Sequence, residues 1–109
     1  MKKELRTYRT KEGKEPFTDW LESLTDRIGR ANITNRLNRV ILGNYGDCEP
    51  VGDGVFELRI HYGPGYRVYF SEQKDRIVLL LIGGSKRTQT KDIKKAKQLW
   101  ADFRERCYD

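Results

Sequence analysis

The stretch FELRIHYGPGYRVYF, residues 56–70, constrains the fold more than any other part of this 109-residue chain. Two runs of alternating apolar and polar residues flank Gly63-Pro64-Gly65, the pattern of two antiparallel strands joined by a short turn. With those three residues as the loop, Tyr62 faces Tyr66, Ile60 faces Val68 and Leu58 faces Phe70. That side is apolar and predicts a core-covering face. The other side pairs His61 with Arg67, Arg59 with Tyr69 and Glu57 with Ser71, because side chains alternate faces with a period of two.

A passive wet face is usually filled with Lys, Thr and Ser, and simple solvation remains one reading of this polar set. Its chemistry is more selective than that. Arg59 and Arg67 offer planar forks matched to phosphate, and Tyr69 offers a ring on which a base can stack. His61 adds the residue type whose charge changes nearest neutrality. The set points to a phosphate or nucleic-acid site. Overall charge agrees: 22 Lys and Arg stand against 16 Asp and Glu, a formal net charge of +6 that favours a polyanionic partner. RNA, DNA and an acidic protein all satisfy that requirement.

The whole chain reads as a single domain over residues 1–109, long enough for one modest core. Leu5–Thr10 suits a first strand. Pro16 falls where a first helical turn tolerates it, and Phe17, Trp20, Leu21 and Leu24 follow at helical spacing. Thr25 or Asp26 caps a second helix bearing Ile28, Ile33, Leu37, Val40 and Ile41, and Gly43 is placed to end it. Residues 44–54 hold three glycines, a proline and two aspartates, and read as a loop. Strands are expected over Val55–Tyr62, Tyr66–Ser71 and Arg76–Ile82, the last apolar on both faces. A final helix carries Ile93, Ala96, Trp100, Phe103 and Cys107, with Leu99 alongside. The order β-α-α-β-β-β-α predicts an α+β domain whose helices lie on one face of a small, mainly antiparallel sheet.

Gly83-Gly84-Ser85-Lys86-Arg87 leads into that final helix and lacks the Walker spacing of a P-loop. It nevertheless brings Lys86 and Arg87 near the polar face, at a helix N-terminus that favours anions, and makes Arg87 and Gln89 candidate RNA-binding residues. An ordinary Gly-rich connection with a solvated basic pair fits the same residues. Lys91, Lys94, Lys95 and Lys97, with Arg104 and Arg106 beyond, read as a solvated helix face. Cys48 and Cys107 match no metal-ligand spacing and accompany a single histidine, so free thiols of a reducing compartment are expected, with no metal site and no disulfide. The charged start Met1-Lys2-Lys3-Glu4 lacks a signal-peptide core, and Ile77–Ile82 is too short to span a bilayer. A cytoplasmic protein without a membrane partner is expected.

The runs GVFELRIHYGPGYRVYF and LLLIGGSKRTQTKDIKKAKQLW resemble the phage-derived Gp49-like proteins, also called HigB-type addiction-module killer proteins, of the RelE/ParE toxin superfamily. The resemblance covers about residues 50–100 and implies a RelE-like fold. It implies the toxin of a type II toxin–antitoxin system, an mRNA endonuclease that works on the ribosome without metal or other cofactor and arrests translation. A HigA-like antitoxin with a helix-turn-helix domain is the implied partner. Attack of a ribose 2′-oxygen on the adjacent phosphate needs a base, cations for the phosphorane and an acid for the 5′-oxygen. By resemblance Arg67 holds the scissile phosphate, Lys86 is the basic residue after the last strand, and Arg59 fills the second-strand basic position. His61 is the candidate acid or base, Glu57 a second candidate base, and Tyr69 a residue that stacks on or orients a nucleotide. Where related ribonucleases carry a C-terminal His or Tyr, this tail supplies only Tyr108. The superfamily also holds ParE-type inhibitors of DNA gyrase, so a gyrase inhibitor and a non-catalytic RNA-binding module are the alternatives.

Overall fold

The computed structural model describes residues 2–107, which build an α+β domain around a five-stranded mixed sheet. Tyr108, the C-terminal candidate, lies outside the described residues. The elements are β1 (Glu4–Thr7), α1 (Pro16–Ser23), α2 (Arg27–Ile41), β2 (Cys48–Gly52), β3 (Val55–Ile60), β4 (Tyr66–Gln73), β5 (Ile77–Ser85) and α3 (Gln89–Cys107). A 3-10 turn, Lys86–Thr88, leads directly into α3. Pro16 opens α1, where its missing N–H costs nothing. Asp26 caps α2 by accepting from the Gly29 N–H at 2.9 Å, and Gly43 follows its end with φ 86°.

The strands lie in the order β1-β5-β4-β3-β2, with β1 parallel to β5 and the other pairs antiparallel. Residues 48–52 are a strand where a loop was expected, so the order becomes β-α-α-β-β-β-β-α. Pro50 is tolerated there because β2 is an edge strand with one unpaired side. The signal was the Asp53-Gly54 pair, whose positive φ values of 57° and 82° make the tight turn that returns the chain into β3.

The central hairpin is also longer-looped than its three-residue reading. Ile60 faces Tyr66, so residues 61–65 form a five-residue connection, with the Gly65 N–H donating to the Tyr62 carbonyl at 3.0 Å. Gly63 and Gly65 supply its positive φ values of 58° and 78°. The register therefore moves by two residues, which pairs Arg59 with Arg67 and Glu57 with Tyr69 but leaves every side chain on its expected face.

The expectation of helices on one face fails. Phe17, Ile33, Leu37 and Val40 of α1 and α2 pack on Leu58, Val68, Phe70 and Leu80, while Ala96, Leu99 and Trp100 of α3 cover Val55, Tyr69, Leu79 and Leu81 on the opposite side. The alternation in β5 demands this, because Val78 and Leu80 point one way and Leu79 and Leu81 the other. Gly83 and Gly84 belong to β5, paired with Val68 and Arg67, and do not form a loop. Their missing side chains admit the Trp20 indole and the Asp92 carboxyl respectively. Among the described residues no helix is long and apolar enough to cross a membrane.

Candidate phosphate site

Glu57, Arg59, Arg67 and Tyr69 share the α3 side of the sheet, where α3 packs on Tyr69 and its first residue, Gln89, reaches Glu57. Glu57 is fully buried at their centre. Its Oε1 accepts from Arg59 Nε at 2.9 Å, and its Oε2 accepts from the Tyr69 hydroxyl at 2.9 Å and from Gln89 Nε2 at 2.8 Å. Burial is the largest influence on this carboxyl and pushes its pKa up, but the bonds from Gln89, Arg59 and Tyr69 and the charge of Arg67 together hold it below its ordinary value. Tyr69 moves the other way: burial first, then the bond to Glu57, raises its phenol far above the usual range. One group stays anionic and the other neutral.

Arg67 is 7% exposed, and its Nε is the one buried side-chain polar atom without a hydrogen-bond partner among the described residues. The guanidinium opens onto a concavity formed by the hairpin loop, residues 61–65, together with Arg67 and Lys86. The Lys86 N–H donates to the Gly65 carbonyl at 2.8 Å, which lashes the 3-10 turn to that loop. Lys86 itself is exposed and takes part in no ion pair among the described residues. Two cations thus share one concavity, one preorganised by burial and the other free to move.

His61 stands at the rim, its side chain 71% exposed, with Nε2 2.5 Å from Asp47 Oδ2. That bond is the main influence holding Asp47 below the usual carboxylate range, with help from the charges of Arg59 and Arg36. Arg59 lies between two carboxylates, bonded to Glu57 and with Nη1 3.9 Å from Asp47 Oδ1. Beneath them Arg36, 7% exposed, donates to three carbonyls: Tyr45 from Nε at 3.0 Å, Arg59 from Nη1 at 2.5 Å and Asp47 from Nη2 at 2.7 Å. It fixes the 45–47 segment against β3, and with it the carboxylate that holds His61. Neither residue was anticipated. Arg36 was signalled by its place between Ile33 and Val40 on the apolar stripe of α2, whereas Asp47 was hidden in residues read as a loop.

The structure brings Glu57, Arg59, Arg67, Tyr69, Lys86 and Gln89 together, with His61 at the edge. It corrects two roles. Tyr69 is fully buried and has no ring face to give a base. Gln89 is half-buried and donates its Nε2 to Glu57. Glu57 is sealed, saturated with donors and held anionic, which unsuits it as a base for an incoming hydroxyl. Arg87 turns away and lines the neighbouring groove with Trp20 and Pro64.

A family model described as phage-derived protein Gp49-like (DUF891) matches residues 19–101. A protein of Haemophilus influenzae, described as an uncharacterized protein, is 51% identical over 83 residues, 76% of this chain and 84% of its own length. The family match includes every residue of the Arg67 concavity.

Proposed function

The chain belongs to the phage-derived Gp49-like family, and on that premise we propose that it is the toxin of a type II toxin–antitoxin pair, a HigB-type endoribonuclease of the RelE/ParE superfamily that cuts mRNA on the ribosome. The observation that carries this reading is Arg67, a nearly buried guanidinium held by the charge of Glu57 that lines one concavity with the exposed ammonium of Lys86. An arginine so placed suits a phosphate, which supplies the acceptors that the protein does not.

In the reaction, the ribose 2′-oxygen attacks the neighbouring phosphorus and the bond from phosphorus to the 5′-oxygen breaks, leaving a cyclic phosphate. Arg67 and Lys86 neutralise the charge that gathers on the non-bridging oxygens. With Nε2–H given to Asp47, His61 keeps Nδ1 as the acceptor for the 2′-hydroxyl proton. The Lys86 ammonium is then the donor to the departing 5′-oxygen. Glu57 reacts with nothing and holds Arg59 and Arg67 in place by charge. The partner on this reading is a HigA-like helix-turn-helix antitoxin, and the substrate is translated mRNA in the cytoplasm.

Mapping of cellular mRNA 5′ ends after brief induction of wild type and Arg67→Ala tests it. Codon-phased cuts within translated frames, lost in the variant, are expected. Growth arrest without new ends overturns the reading in favour of a gyrase inhibitor.

A further inference from the structure

A second groove adjoins the Arg67 concavity and lies between the end of α1, the hairpin tip and the start of α3. Its apolar wall is Trp20, Leu24, Pro64 and Tyr66, and its cations are Arg87 and Lys91. Trp20 is half-buried and fixed: its ring meets Tyr66 edge-on at 6.1 Å and 73°, and it fills the space that Gly83 leaves open. Tyr66 is anchored in turn by its hydroxyl, which donates to Asp26 Oδ2 at 2.9 Å. The platform is therefore formed before anything lands on it.

Charge and continuity say what it takes. Arg87 and Lys91, four residues apart on one side of the turn and helix, are exposed and form no ion pair among the described residues. The groove has one carboxylate, that of buried Asp92, which accepts from the Thr88 hydroxyl at 2.5 Å and packs against Gly84. Pro64 lines both concavities, and the adjacent residues Lys86 and Arg87 divide between them. A chain with a phosphate on Arg67 and Lys86 thus meets, one step along, a fixed aromatic surface flanked by two further unneutralised cations.

We propose that this groove seats a nucleotide flanking the scissile phosphate of single-stranded RNA, its base against Trp20 and Pro64 and its phosphate on Arg87 and Lys91. Stacking on a rigid ring beside basic side chains is how single strands are held without base pairing. The inference deepens the RNA reading above and rests on it.

A 2′-O-methyl RNA hexanucleotide, which has no 2′-hydroxyl to attack, separates binding from cleavage. By fluorescence anisotropy, Arg87→Gln/Lys91→Gln is expected to bind about tenfold more weakly than wild type. Its log–log salt dependence should be shallower by about 0.7, the value for losing one phosphate contact of a single strand. Saturating hexanucleotide should quench tryptophan emission in wild type but not in Trp20→Phe. If the double variant binds as wild type while Arg67→Ala is weakened, the groove assignment is overturned and the RNA reading stands. If neither binds differently from wild type, both fall. If the double variant alone is weakened, the groove stands and the phosphate role of Arg67 falls. No binding by wild type, or quenching by an acidic peptide in its place, overturns the groove, and the mRNA-end mapping then judges the RNA reading by itself.

Discussion

Arg67 directs its Nε at Glu57 Oε2 and stops 3.7 Å away, close enough for charge attraction and too far for a hydrogen bond. Glu57 has already filled Oε2 with the Tyr69 hydroxyl and the Gln89 amide, so the arginine is held by charge with donor capacity to spare. Lysine keeps the charge but lacks the planar fork. Arg67→Lys and Arg67→Ala should each lower mRNA cleavage by about 10²–10³-fold, the loss typical of removing one transition-state donor, in a translation extract programmed with a defined message.

Glu57 gathers the hydrogen bonds of Arg59, Tyr69 and Gln89, and its loss leaves the Arg67 guanidinium and the Tyr69 phenol in the interior without their carboxylate. Glu57→Ala should cost about 3–5 kcal/mol in urea unfolding, as when one member of a buried ion pair is removed. The pH dependence follows from the lowered pKa. The carboxylate's contribution is complete above its ordinary value of 4.5 and disappears as pH falls through the lower folded value. Wild type should therefore lose stability below about pH 4.5, and Glu57→Gln should flatten that slope.

Arg36 is a buried cation with carbonyl acceptors and no carboxylate bonded to it, and burial draws its pKa down. Arg36→Met keeps much of the volume but takes a charged donor from three carbonyls, of which that of Asp47 keeps another, the Arg59 N–H at 3.0 Å. A loss of about 2–4 kcal/mol is expected, taking hydrogen bonds to a charged group at about 1.5–3 kcal/mol each and allowing water to recover some. The thermal unfolding midpoint should fall accordingly, and NMR should show the His61 ring signals broadening as Asp47 loses its anchor.

Gly83→Ala puts a methyl group where the Trp20 ring already stands. Overpacking of this kind costs about 1–3 kcal/mol. Displacement of the indole should also shift its emission, which distinguishes local strain from global destabilisation.

The two thiols should react at very different rates. Burial pushes the Cys48 thiol up to about 11, whereas Cys107 is exposed on the last turn of α3. A thiol-disulfide reagent at neutral pH should modify one cysteine per native chain and two in denaturant, with Cys107→Ser abolishing the fast phase.

Periodicity carried most of the layout into view. The alternation in 56–70 placed Glu57, Arg59, Arg67 and Tyr69 on one face, and a register error of two residues could not disturb that. Alternation says which residues share a face, however, and not whether another element covers it. Tyr69 and Glu57 looked solvated because α3 was laid on the other side. The apolar stripe of α3 and the two-sided pattern of β5 already required a second covered face. Asp47 and β2 were lost for a different reason, since Gly, Pro and Asp in 44–54 mask a short edge strand. Asp47 serves the site through a hydrogen bond to His61, a long-range contact with no trace in local composition.

The parallel pairing of β1 with β5 joins Glu4 to Ile77 and Leu5 to Val78, 73 residues apart in sequence. A strand made early must wait for one made much later, and the entropy of closing that long loop comes before any reward from the contact. Lys86 and Gln89 come later still. On a ribosome, the β3–β4 hairpin can fold before β5, Lys86 and Gln89 have been made, so the cation pair assembles only on a sheet that is already partly built.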